Sequence, residues 1–210
     1  MVIIGSIFTF MGYEFMEGNW TTGGIVVLKY YTIQTNIFIG VIALVSAIYE
    51  LLIFINKKEN IPLVVRYMRH ISVCMGMTTM LMVVCYLGPV VSKSFAIILM
   101  NCNLFFHLLV PLFAAIALML FEPFMRVRFR VTFFNLIPLA GYSIFYSIVA
   151  FTHYVQEANP HIESKYDWYG IFLNGIPLAI VIFIALFVIT FLVGLFTWFI
   201  NRQTWKRKNK

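Results

Sequence analysis

The feature that most constrains this chain is the recurrence of apolar runs long enough to cross a lipid bilayer. The stretch from Ile37 to Ile55 is one of them. A hydrocarbon layer about 30 Å thick needs about 20 helical residues, and this run with its flanks supplies them. Composition points the same way. The chain is 62% hydrophobic and 11% charged, with a mean hydropathy of +0.92. A soluble core does not need that excess, so a soluble globular domain is excluded.

The Ile37 run is entered through Lys29-Tyr30-Tyr31-Thr32-Ile33-Gln34-Thr35-Asn36. Hydrocarbon cannot hydrogen-bond a cation, phenols, hydroxyls and amides, so these groups must face protein or water. Lys29, Thr32 and Asn36 are spaced i, i+3, i+7 and share one helical face, with Thr35 beside them. The bland account of such a face is glue between helices. Lys29 can also snorkel outward whatever the function.

Six spans are expected: Val2 to Met16, Ile25 to Ile55, Ile71 to Val91, Phe95 to Phe121, Val131 to Thr152, and Ile171 to Ile200. The first is short for a crossing, which requires a tilted or pinched helix or a misassigned start. Gly88-Pro89 is expected to close the third, and Pro111 to kink the fourth. Nothing alternates at the strand period a membrane barrel needs, so the fold class is all-α, a single six-helix transmembrane bundle. No cleavable signal peptide is readable at the start.

The charge of +7 does not read as a nucleic-acid face, because the bases lie in short clusters between apolar runs. Lys57, Lys58, Arg66 and Arg69 form one cluster, and Arg126, Arg128 and Arg130 a second. Arg202, Lys206, Arg207, Lys208 and Lys210 form a basic tail over 201–210. Together these hold twelve of the chain's 15 bases. The positive-inside rule then puts both termini in the cytoplasm. The expected location is the plasma membrane of a bacterium. Membrane lipids and a lipid or small amphipathic substrate are the expected partners, with no nucleic acid.

Cys74, Cys85 and Cys102 fall inside apolar segments at odd spacings, which favours buried free thiols over disulfides or a zinc site. No phosphate loop, serine elbow or HExxH pattern is present, so no cofactor or metal is expected.

Other polar groups lie at membrane depth. Asn101, Asn103 and His107 mark the fourth span, and Asn103 and His107 stack four residues apart. An ionisable ring there is expensive, and is either a satisfied core group or a functional one. Tyr142 and Tyr146 share a face of the fifth span, and Thr78 and Thr79 lie among the methionines of the third. Such residues more often pack than bind. The aromatic connection from His153 to Gly170 reads as an interfacial belt or as a lid.

Three pieces carry a resemblance to a known group: Tyr31-Thr32-Ile33-Gln34-Thr35-Asn36, His107-Leu108-Leu109-Val110-Pro111, and Tyr166-Asp167-Trp168-Tyr169-Gly170-Ile171-Phe172-Leu173-Asn174. In order and spacing the chain resembles Pr6Pr-type bacterial integral membrane proteins, relatives of the androgen-induced protein family of membrane lipid hydrolases. That resemblance implies six spans and a threonine nucleophile with a histidine base, which fall on Thr32 and His107. Thr35 competes for the nucleophile's role.

The expectation is therefore an intramembrane hydrolase or acyl transferase acting on fatty-acyl esters. Thr32 would attack and His107 would act as base, with Asn36 or Asn103 donating to the oxyanion. Thr35, Asn36, Asn103, Tyr142 and Tyr146 would contact substrate. A small-solute transporter or substrate-binding membrane subunit is the alternative, and a non-catalytic scaffold the third. Counted from the helix ends, Thr32 lies well outward of His107, so contact between them is the open question.

Overall fold

The computed structural model describes residues 11, 13–14, 19–20, 24–55, 60–95, 103–122, 125–155, 161–162 and 165–208. Most of the expected first span, with Asn101, Cys102, Lys57 and Lys58, lies outside them. Among the described residues the regular elements are helices, apart from two short antiparallel pairs. These are Tyr13–Glu14 with Asn19–Trp20, and Tyr154–Val155 with His161–Ile162.

A 3-10 turn, Gly24–Lys29, leads into α1, Tyr31–Phe54. Helix α2 is Leu63–Ser92, α3 is Phe105–Phe121, α4 is Val131–Thr152 and α5 is Ile176–Lys208. Helices α1, α2, α4 and α5 are each long and apolar enough to cross a membrane, and α3 is a shorter apolar helix.

Their surfaces are inverted relative to a water-soluble bundle. Val41, Leu44, Ile48 and Leu51 of α1 recur at helical spacing and are all exposed. Ile180, Ile184, Val188, Leu192 and Phe196 make the same stripe on α5. In water this would be one continuous apolar patch far larger than a soluble monomer shows. The interior holds the polar groups instead: Thr35, Asn36, His70, Ser72, Thr132 and Asn135 are fully buried.

Proline explains the irregularities. The last ten residues of α2, Val83–Ser92, wind as a π-helix with Pro89 inside. Gly88-Pro89 therefore does not close the helix, because the wider turn accommodates a residue that cannot donate. Likewise Pro111 follows the π turn Phe105–Leu109, at the first turn of the α segment Val110–Ile116. A missing N–H is tolerated there. Pro138 interrupts α4, which is split at Asn135 into Val131–Phe134 and Leu136–Thr152.

Two expected boundaries move. Helix α2 starts at Leu63 rather than Ile71, and α5 starts at Ile176 rather than Ile171. The first shift takes Arg69 and His70 out of a loop and buries them. Arg69 donates twice to Glu122, Nε at 2.9 Å and Nη2 at 2.7 Å, pinning α2 to the end of α3. Asn201 of α5 donates to the backbone carbonyls of Leu118 and Glu122 at 2.8 and 3.1 Å, so three helices meet at the end of α3. At about 1.5 Å per residue, the 33 residues of α5 span roughly 50 Å. That exceeds the hydrocarbon thickness, so Arg202, Lys206 and Arg207 ride on a helical extension beyond it.

Gly76 marks where α1, α2 and α3 approach most closely. A Cβ there would stand 2.6 Å from Ile39 Cδ1 and 3.4 Å from Pro111 Cβ. Small residues at crossings let helix backbones pack without a hydrophobic driving force.

Candidate functional site

The N-terminus of α1 is organised by the connection before α5. Asp167 is buried, and its carboxylate accepts the Ile171 and Phe172 amides at 2.9 and 3.0 Å. It also accepts a short hydrogen bond from the Tyr146 hydroxyl. A buried carboxylate is tolerable only with such donors. The turn needs Gly170, whose φ of +63° is a left-handed conformation that side chains disfavour. Tyr86 of α2 then donates to the Gly170 carbonyl at 2.7 Å.

This turn sets Trp168 and Tyr169 over α1 and α4. The Trp168 indole N–H donates to the Tyr142 hydroxyl at 3.0 Å, and Tyr142 donates to Lys29 O at 2.7 Å. The Lys29 ammonium lies 5.2 Å from the centroids of both Tyr30 and Trp168, a cation–π arrangement. The Tyr169 hydroxyl accepts the Tyr31 amide at 2.8 Å, satisfying one of the orphan donors of the α1 N-terminus. Burial pushes the Tyr169 phenol above its ordinary pKa, so it stays protonated. Its ring packs against that of Tyr142, 6.4 Å between centroids, and both border the same space as Thr32. The aromatic connection therefore packs over the N-terminus of α1 and over Tyr142 of α4, a position open to a belt or a lid.

Beneath this connection is a narrow cavity of about 30 Å³, room for about one water. Thr32, Thr78, Thr79, Tyr142, Ser143, Tyr146 and Tyr169 border it with Met82, Leu139 and Phe183, and the surface they present to it is almost entirely apolar. A second, open groove of about 680 Å³ runs along α4 beside Phe187 of α5. Its lining includes Ile144, Ile148 and Phe151, together with Ser143, Ser147 and Thr152. Ser143 borders both spaces.

Of the residues expected from sequence, Thr32, Tyr142 and Tyr146 meet at the cavity. The remaining four do not line it. Thr35 donates to Thr32 O at 2.9 Å, which is a helix-internal bond. Asn36 donates to Thr32 O at 2.7 Å and across to Phe106 O at 2.9 Å, so its amide nitrogen joins α1 to α3. Asn103 is exposed. His107 sits in the π turn of α3, and its Nδ1 is buried without a hydrogen-bond partner. The Asn36 bond fixes the register: Phe106 is level with Asn36, four residues or about 6 Å along α1 from Thr32. No hydrogen bond joins Thr32 to His107 among the described residues.

A second polar cluster is buried between α2, α4 and α5. His70 Nδ1 lies 3.4 Å from Asn135 Oδ1 and 3.6 Å from Cys74 Sγ, and its Nε2 lies 3.2 Å from Thr197 Oγ1. Cysteine beside histidine is a pairing that can activate a thiol, but none of these residues lines the cavity or the groove. The cluster holds helices together. Cys85, expected to be buried, is exposed on α2.

The sequence placed Tyr169 in a belt or lid without its bond to α1, gave Asp167 no role, and gave Arg69 and His70 no place in the interior. A signal existed for the last two: Arg69, Val73 and Gly76 continue the buried face of α2 at helical spacing. No family model matches the chain, and neither the curated proteins nor the solved structures compared with it give a match.

Proposed function

We propose that this protein binds a small amphipathic or lipid molecule inside the bilayer, as a carrier or substrate-binding membrane subunit. The supporting observation is Ser143, shared by an open apolar groove and a narrow, largely apolar cavity bordered by Thr32, Tyr142, Tyr146 and Tyr169. An acyl chain would lie along α4 in the groove. Its polar end would reach past Ser143 to Thr32, Tyr142, Tyr146 and Tyr169. Pockets of this kind pair apolar walls with a few placed polar groups that fix orientation. The cavity holds about one water when closed, so loading requires the Trp168–Tyr169 lid to lift. In this reading the basic end of the bundle is cytoplasmic, with six crossings, in the plasma membrane of a bacterium. The clustering of bases at that end supports it.

The test is photolabelling of the reconstituted protein with a diazirine fatty acid. Labelling should fall on residues 140–152, and Ser143→Trp should reduce it at least tenfold while thermal stability holds. Labelling spread evenly over all helices, or indifferent to Ser143→Trp, would overturn the reading.

One observation favours a hydrolase as the second reading. Thr32 borders the cavity, and among the described residues no hydrogen bond ties its hydroxyl back to a helix carbonyl as one does for Thr35. Thr32 would attack an acyl carbonyl, with His107 taking the hydroxyl proton and returning it to the leaving alkoxide. Water would then release the acyl group. His107 lies outside the cavity lining, so this chemistry requires α3 to move against α1. A lipid-accessible fluorophosphonate should label the wild type and spare Thr32→Ala and His107→Ala. Equal labelling of all three would exclude it.

A further inference from the structure

At the end of the bundle opposite the lid, four guanidinium groups surround a pocket of about 490 Å³. Arg66 comes from the first turn of α2, Arg126 and Arg128 from the connection between α3 and α4, and Arg202 from α5. Among the described residues no carboxylate lines it. The nearby acid, Glu122, is occupied in both oxygens by Arg69. Four like charges around one space repel one another unless an anion neutralises them.

Three of the four arginines are also held in place. Arg66 Nε donates to Ile61 O at 3.0 Å, which fixes the stem and leaves its terminal nitrogens to spare. The Arg126 guanidinium lies 4.1 Å from the Trp205 ring centroid, and that of Arg202 lies 5.2 Å from Trp198. Arg202 Nε is buried with no hydrogen-bond partner. An unused charged donor beside a cation-lined pocket calls for an acceptor. The remaining wall is apolar: Phe129 packs edge-on against Trp198 at 5.3 Å.

From this geometry we infer a second site, separate from the lidded cavity, that binds a phosphate group. Planar guanidinium forks match phosphate oxygens in pairs, which a lysine ammonium cannot do. Phe129 and Trp198 suit the glycerol and upper acyl carbons of an anionic phospholipid, whose headgroup would stand at this depth. Inorganic phosphate offers the same oxygens without the apolar part. The site needs neither the cavity nor Thr32, so it stands if the proposed function falls.

The test is native mass spectrometry and a lipid-exchange assay on the full chain in nanodiscs. Discs of phosphatidylcholine are compared with discs containing phosphatidylglycerol or phosphatidic acid. Wild type should retain anionic lipid through delipidation, and Arg202→Gln with Arg66→Gln should weaken retention at least tenfold. Arg202→Lys keeps the charge but loses the fork, and should weaken it severalfold. Arg130→Gln, exposed and outside the pocket, should change nothing. Saturable binding of inorganic phosphate that displaces the lipid supports the site and assigns a soluble ligand. Equal retention of phosphatidylcholine, or an equal loss in Arg130→Gln, would overturn the proposal, since both indicate attraction to the charged end at large. Should the double variant fail to fold, the Arg202→Lys comparison carries the decision alone.

Discussion

The Tyr169 hydroxyl accepts the backbone N–H of Tyr31 at 2.8 Å across 138 residues of sequence. Helix α1 has no side-chain cap of its own, because Tyr30 precedes it with no capping oxygen in reach. The connection before α5 supplies the missing acceptor. The same ring packs against Tyr142 and borders the same space as Thr32, so seating this connection and finishing α1 are one event.

Tyr169→Phe should therefore leave a buried amide unsatisfied, a cost of about 1–3 kcal/mol. The ring and its packing against Tyr146, 5.9 Å between centroids, would remain. Thermal unfolding in detergent measures the loss, and an unchanged midpoint would refute the capping role. The pH dependence has a definite sign. Burial raises the Tyr169 pKa from 10.0, so the folded state holds the proton more tightly than the unfolded chain. That contribution is fully present below about pH 10 and is lost as pH rises above it. Alkaline destabilisation should accordingly be shallower in Tyr169→Phe than in the wild type.

Asp167→Asn removes the charge that the Ile171 and Phe172 amides and the Tyr146 hydroxyl converge on. An amide offers one acceptor oxygen in place of two, and its NH₂ would face a backbone donor. Loss of a buried charge-assisted bond costs about 1.5–3 kcal/mol. The effect should be local. Hydrogen exchange at Ile171 and Phe172 should accelerate by at least tenfold, while α2 and the middle of α5 remain protected. Uniform acceleration would mean that the turn has no independent role as a lid.

Much of this arrangement was legible in the sequence, and what was not has physical reasons. The apolar runs marked the region of α4 because hydrocarbon imposes length and composition on every spanning helix. Thr32, Tyr142 and Tyr146 were legible as interior groups for the same reason. Asp167 and Tyr169 were not, since a carboxylate in an aromatic connection looks interfacial until Tyr146, 21 residues away, is seen to bond to it. Arg69 was read as one more loop base, because its partner Glu122 lies 53 residues downstream. His107 and Asn36 were legible as buried. Their register was not, because π turns flank Pro111 and shift which residues of α3 face α1.

Glu122→Gln tests the ion pair that sequence missed. Arg69 is 4% exposed, and its partner holds both Nε and Nη2. Removing the carboxylate charge leaves a buried guanidinium uncompensated, which typically costs 3–5 kcal/mol. Replacing both residues, Arg69→Met with Glu122→Leu, removes the stranded charge and should recover a large part of that loss. Urea or thermal midpoints of the wild type and the two variants decide it. A double variant less stable than Glu122→Gln would show that the pair contributes more than its mutual compensation.

Glycine-to-alanine changes at two crossings should separate soft from rigid packing. In an isolated helix the change would gain roughly 1 kcal/mol. At Gly76 the new methyl meets Ile39 Cδ1 at 2.6 Å, the mobile end of an aliphatic chain, and then Pro111 Cβ at an acceptable 3.4 Å. A rotamer change can relieve that contact, so Gly76→Ala should be within about 1 kcal/mol of wild type. At Gly194 the methyl would run into the Asn135 amide nitrogen, with the Thr132 Cα 3.6 Å away. Asn135 is fully buried and its oxygen faces His70 Nδ1, so it cannot withdraw without opening that contact. Gly194→Ala should cost about 1–3 kcal/mol in spite of the helix preference. The reverse order of stabilities, read from thermal midpoints in one detergent, would show that the His70–Asn135 contact does not fix the crossing of α4 and α5.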